Sequence, residues 1–219
     1  KQLNCPDGAA LNVDVDQCCK SPPFHARRIP QLEQYMCDVR HKARIAASLV
    51  WNLTPPQLGN SGDLQRTAAC VDHWFGAGSS KEYRTLSAIA TTFDNVLGCL
   101  TLRNSWRLVC KNKCQGDTKA QVNSNPFASN TIYICTDFFD LLVLDSRRVG
   151  VLLHELTHKC SGTADFGYVT DPGVIGGHHP KYGLPSWLNR EEGIPAKLNQ
   201  KLLLSNAATY ESFLDCLNT

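Results

Sequence analysis

From Gln31 the chain places apolar residues among polar ones with a helical period. Leu32, Tyr35, Val39, Ile45 and Leu49 fall on roughly one stripe. The stripe predicts a helix that stops before Pro55-Pro56, which cannot continue it. A shorter helix is expected from Asp63 to Trp74, closed by Gly76 and Gly78. A third, capped by Ser79 or Ser80, is expected to run through Tyr83, Leu86, Ile89, Phe93 and Val96 to about Leu100. The period then changes. Residues 106–110 and 131–135 are short, β-branched and aromatic, and read as strands flanking a polar loop from Lys111 to Asn130. Asp145 suits the N-cap of a helix carrying Val149, Val151, Leu152 and Leu153. Residues 161–195 hold seven glycines and four prolines and read mostly as loop, before helical stretches at about 196–204 and 207–217. Residues 1–30 are rich in Pro, Asp and Cys with little periodicity. The expectation is an irregular, disulfide-pinned arm over 1–30 and one α+β domain over 31–219, mainly helical with a small β-sheet.

Composition narrows the function classes. With 219 residues, 42% of them apolar and 19% charged, the chain can bury a core, which excludes wholesale disorder. A net charge of +2 provides no basic field, so nucleic acid is not expected as a partner. The longest apolar runs are a few residues, as in Leu141-Leu142-Val143-Leu144, and predict no membrane span. The opening Lys1-Gln2-Leu3-Asn4-Cys5 carries no signal-peptide pattern and reads as the start of a mature or trimmed product. Eleven cysteines are spread over the chain without a CxxC pair, which reads as disulfides formed in an oxidising compartment rather than a zinc ribbon. The odd count leaves at least one thiol free or bonded to another molecule. A secreted, extracellular monomer is the expectation, and Asn52-Leu53-Thr54 is a compatible glycosylation acceptor.

The candidate chemistry lies in His154-Glu155-Leu156-Thr157-His158, an H-E-x-x-H string inside the predicted helix after Asp145. Positions four apart share a helix face, so both imidazoles can reach one ion. Neutral imidazole suits Zn²⁺, and the adjacent Glu155 can take a proton from water. The plainer alternative is two surface histidines beside an ordinary glutamate. The apolar turn before the motif, Val149 to Leu153, argues for a helix that buries this site. Catalytic zinc takes three protein ligands and keeps one position open, so the third ligand decides the subclass. Ser161 and Ala164 stand where a metzincin continues with Gly and His, which excludes that pattern. Glu191 or Glu192 could serve a thermolysin-like arrangement, but they stand beside Gly193 outside a clear helix.

Shortly after the second histidine comes Gly162-Thr163-Ala164-Asp165-Phe166-Gly167-Tyr168. That G-T-x-D-x-x-Y string after H-E-x-x-H resembles the aspzincins, the deuterolysin and peptidyl-lysine metalloendopeptidase family. Residues 132–139 are similar to that family's strand leading to the active-site helix, and Asn206-Ala207-Ala208-Thr209-Tyr210 to its Asn-Ala-Asp-x-Tyr segment. The resemblance implies a zincin-like fold and one Zn²⁺ per chain held by His154, His158 and Asp165. It further implies Glu155 as general base and Tyr168 as the donor to the tetrahedral oxyanion. Three features depart from the family pattern. Val169 replaces a glycine, and Ala208 replaces the acid credited with receiving a substrate lysine. The stretch 169–200, with His178, His179 and Trp187, is longer than its counterpart. Cys160 is expected in a disulfide, with Cys216 as a candidate partner, and His25, His41 and His73 at surfaces or caps.

The leading expectation is therefore a secreted zinc endopeptidase acting on protein or peptide substrates, with water on zinc deprotonated by Glu155. A non-proteolytic zinc binder used in metal scavenging, adhesion or host interaction is the alternative that Ala208 favours. A zinc amidase acting on cell-wall peptides is a third.

Overall fold

The computed structural model describes the chain outside residues 17–18, 20–27, 55–60, 102, 113, 115–118, 124, 126, 141, 167, 172–173, 177–195 and 218–219; at 168–171, 174–176 and 196–199 it describes backbone alone. Strands and helices alternate irregularly, as an α+β chain requires. The order is β1 (Gln2–Asn4), β2 (Ala10–Val15), α1 (Ile29–Trp51), α2 (Gly62–Phe75), α3 (Tyr83–Cys99), β3 (Ser105–Lys111), β4 (Ala120–Val122), β5 (Thr131–Cys135), α4 (Asp145–Ser161), β6 (Tyr168–Asp171), β7 (Val174–Gly176), α5 (Ala196–Leu204) and α6 (Ala207–Leu217).

Residues 1–30 are less irregular than their composition suggests. β1 and β2 form an antiparallel pair, and β2 pairs in parallel with β3, Val13 opposite Trp106. Leu11 and Val13 are buried, so two apolar positions spaced by two suffice to attach this segment to a sheet. The five strands run in the order β1-β2-β3-β5-β4, with β3 and β5 parallel and β4 antiparallel on the edge. The polar stretch between β3 and β5 thus contains a strand. Ala120 is its one fully buried residue, too weak a pattern to stand out in the sequence.

The buried stripe of α1 is Leu32, Met36, Val39, Ala43, Ala46 and Val50, spaced alternately by four and three. Ile45 lies off that stripe and is 41% exposed, because six residues beyond Val39 a helix has turned to another face. α2 is capped by Ser61, whose side chain accepts the Leu64 N–H. Ser79–Lys81 forms a 3₁₀ turn ahead of α3 rather than the cap expected there.

The framework divides into two compact units, Lys1–Arg44 with Asn95–Ser161 and Ile45–Asp94 with Gly162–Thr219. The first holds the five-stranded sheet and α4, with Leu108, Ile132, Ile134, Leu152 and Leu156 in its core. The second is built on α2, α5 and α6 around Phe75, Phe93, Tyr210 and Phe213, whose rings meet mostly edge to face at 5.3 to 6.0 Å.

Five disulfides fasten the chain: Cys5–Cys37, Cys19–Cys110, Cys70–Cys216, Cys99–Cys160 and Cys114–Cys135. Cys160 is in a disulfide, as expected, but with Cys99 at the end of α3 and not with the candidate Cys216, which instead joins α6 to α2. The eleventh cysteine, Cys18, lies outside the described residues.

Candidate metal centre

α4 buries Val149, Leu152, Leu153 and Leu156, spaced three, one and three. Covering those side chains contributes about 1.5–3 kcal/mol each and fixes the rotation of the helix about its axis. His154 and His158 then share another face, with ring centroids 4.7 Å apart and planes at 87°. His158 is 8% exposed. Thr157 donates its hydroxyl to the His154 carbonyl at 2.8 Å.

The helix ends at Ser161, and Gly162 takes φ +68°, a left-handed turn in which a side chain would be strained. The next residues are clamped from α6 and the turn before it. Ala164 N–H donates to Ser205 O at 2.8 Å, and Ala207 N–H to Ala164 O at 3.1 Å. Phe166 N–H donates to Asn206 Oδ1 at 3.1 Å. Asn206 is fully buried, and its amide nitrogen donates to Thr209 Oγ1 at 3.1 Å. Asp165 is therefore flanked by two residues whose backbones are held.

His154, His158 and Asp165 each offer a ligand atom, and the three atoms lie within 4.8 Å of one another. Ligands about 2.0–2.2 Å from a tetrahedral Zn²⁺ lie roughly 3.3 Å apart, so a contraction of at most about 1.5 Å closes the set. Two imidazole nitrogens and one carboxylate oxygen are a donor set that suits zinc and leaves a fourth position. The residues present fit that ion.

Glu155 is 7% exposed, and its Oε2 accepts the Val122 N–H of β4 at 2.9 Å. Lys159, one turn further along α4, is 8% exposed and donates to Asn125 O at 2.6 Å and Ala128 O at 2.8 Å. Burial draws the pKa of its ammonium below the ordinary lysine value.

A family model described as lysine-specific metallo-endopeptidase, that of the aspzincins, matches residues 61–173, just over half of the chain. The chain belongs to the aspzincin family. Membership implies a zinc-dependent metalloendopeptidase, and the matched stretch takes in α4, the donor set and all of β6. No curated protein matches this aspzincin.

Other residues singled out in the sequence fall in different places. Tyr168 opens β6, and its side chain is outside the described set. Val169 pairs with Ile175 of β7, so the segment after the motif tyrosine is a short hairpin rather than loop. Ala208 is 7% exposed in the first turn of α6. His73 stacks edge-on against Trp74 at the end of α2. His25, His178, His179, Trp187, Glu191 and Glu192 lie outside the described residues. Three contributors escaped the sequence reading: Val122, Lys159 and the Asn206 side chain as a clamp. Asn206 stands just ahead of a helix, where asparagine is common, and no local pattern marks it as the partner of an amide forty residues away.

Proposed function

We propose that this aspzincin is a secreted endopeptidase in which His154, His158 and Asp165 hold one Zn²⁺ and Glu155 is the general base. The convergence of those three donors beside a nearly buried glutamate carries the reading. When bound, zinc supplies a Lewis acid that polarises a carbonyl and lowers the pKa of water. Glu155 takes the proton from the attacking water and delivers it to the departing amine. The Val122 N–H orients its carboxylate for that task. Tyr168 has the role that the family resemblance implies, a phenol donating to the developing oxyanion. Five disulfides support an extracellular setting. Ala208 provides no carboxylate to receive a basic side chain, so cleavage is expected without the lysine preference in the family's description.

The test is zinc-loaded protein on a proteome-derived peptide library, read by mass spectrometry. Cleavage should vanish with a chelator, return with zinc, and fall by about 10²- to 10⁴-fold in Glu155→Ala. Stoichiometric zinc with no cleavage would favour the binding protein, for which Ala208 speaks. Cleavage confined to cell-wall peptides would favour the amidase, and activity surviving both perturbations would refute the reading.

A further inference from the structure

Lys159 has no part in the chemistry just described, yet it is almost buried. An ammonium that loses water must be repaid by hydrogen bonds, and here both acceptors are backbone carbonyls, Asn125 O at 2.6 Å and Ala128 O at 2.8 Å. Those carbonyls belong to the loop that follows β4. The loop's described residues bond to one another: Asn123 Oδ1 accepts the Asn125 N–H, Asn125 Oδ1 accepts the Phe127 N–H, and Ala128 N–H donates to Asn125 O. β4 is the sheet's edge strand, paired on one side with β5. Its Val122 N–H holds the Glu155 carboxylate at 2.9 Å. Glu155 and Lys159 are four apart and share a face of α4. The helix thus grips β4 and its loop at two points one turn apart, a carboxylate accepting from the strand and an ammonium donating to the loop.

We propose that Lys159 is a positioning residue for Glu155: by clamping the 123–130 loop to α4 it sets where the Val122 N–H stands, and so where the base points. This rests on Glu155 being the base of the proposed peptidase. A carboxylate displaced by about an ångström loses the alignment that proton transfer needs, which costs turnover far more than substrate binding.

The test compares wild type, Lys159→Met, Lys159→Arg and Asn125→Ala. Kinetics are measured on a peptide the wild type cleaves, and Val122 amide exchange on metal-free protein. Lys159→Met should keep its zinc stoichiometry and a KM within about twofold, while kcat falls about 10- to 100-fold. Its Val122 amide should exchange at least about tenfold faster. Lys159→Arg, whose guanidinium can also donate to two carbonyls, should recover most of both losses. Asn125→Ala loosens the loop without touching the helix and should show a smaller fall confined to kcat. It decides the matter if Lys159→Met does not fold. Unchanged kcat and unchanged Val122 exchange in a folded Lys159→Met, or in Asn125→Ala where that variant decides, would overturn the proposal. So would a loss that appears in KM alone. Full activity in Glu155→Ala would remove both readings, whereas a dead Glu155→Ala beside an unaffected Lys159→Met removes this one alone.

Discussion

Replacing Asn206 by alanine tests whether the proposed third ligand, Asp165, is held in place by a residue outside the donor set. Asn206 is fully buried, and its Oδ1 accepts the Phe166 N–H at 3.1 Å, one residue past Asp165. Alanine leaves that amide without this acceptor, at a cost of about 1–3 kcal/mol, and forfeits roughly 1 kcal/mol more with the bond to Thr209 Oγ1. The backbone bonds from Ala164 to Ser205 and Ala207 remain, so the segment loosens at one end rather than detaching. If the Phe166 amide turns to find water, Asp165 moves with it. Holding the carboxylate on the ion then costs that same 1–3 kcal/mol, a zinc affinity lower by about 5- to 150-fold. Competition with a chromophoric chelator at neutral pH measures the affinity, and thermal unfolding of the metal-free protein separates the stability loss. The double variant with Asp165→Ala completes a cycle, in which Asn206→Ala should cost no further zinc affinity once the carboxylate is gone. An Asn206→Ala protein that unfolds more easily yet binds zinc as tightly as wild type would refute the reasoning.

Two further outcomes are expected from the packing. Burial alone would raise the Asp7 pKa, but the Ala9 N–H at 3.1 Å and the Arg40 and Arg44 guanidiniums outweigh it and hold the carboxyl below its ordinary value. Its folded pKa is depressed, so its stabilisation is complete above the unfolded value of about 3.8 and disappears as pH falls through the folded one. Urea unfolding should show wild type above Asp7→Asn at neutral pH and the two converging at the acid end; a gap that widens on acidification would contradict the sign. Tyr210 is fully buried, and its phenol donates to Leu204 O at 2.8 Å and meets Thr92 Oγ1 at 3.0 Å. Burial pushes its pKa far up, with the Thr92 hydroxyl a smaller opposing influence. Tyr210→Phe should keep the edge-to-face contacts yet lose about 1–2 kcal/mol in denaturant unfolding, and an unchanged midpoint would show those hydrogen bonds to be neutral.

Much of this aspzincin could be read along the chain, wherever the physics is local. Helical spacing placed α4, α5 and α6, because an amphipathic period leaves its mark on consecutive residues. The four-residue spacing of His154 and His158 is itself the geometry of one helical face, and Gly162 supplies the left-handed turn that ends α4. Asp165 was identified by family pattern, and the fold then brought its carboxylate within 4.8 Å of both imidazoles.

Tertiary structure alone decided the pairings between residues far apart in sequence. Cys160 found Cys99 rather than Cys216, since pairing among many cysteines depends on which backbones approach one another. β1 and β4, three residues each, are too short to show a period, and exist because a neighbouring strand offers their N–H and C=O groups partners. Val122 at Glu155, Lys159 at the 123–130 loop and Asn206 at Phe166 are hydrogen bonds across thirty to forty residues. Such bonds form only after hydrophobic burial has fixed the elements that carry them. A sequence names the groups able to donate and accept; the packed fold chooses among them.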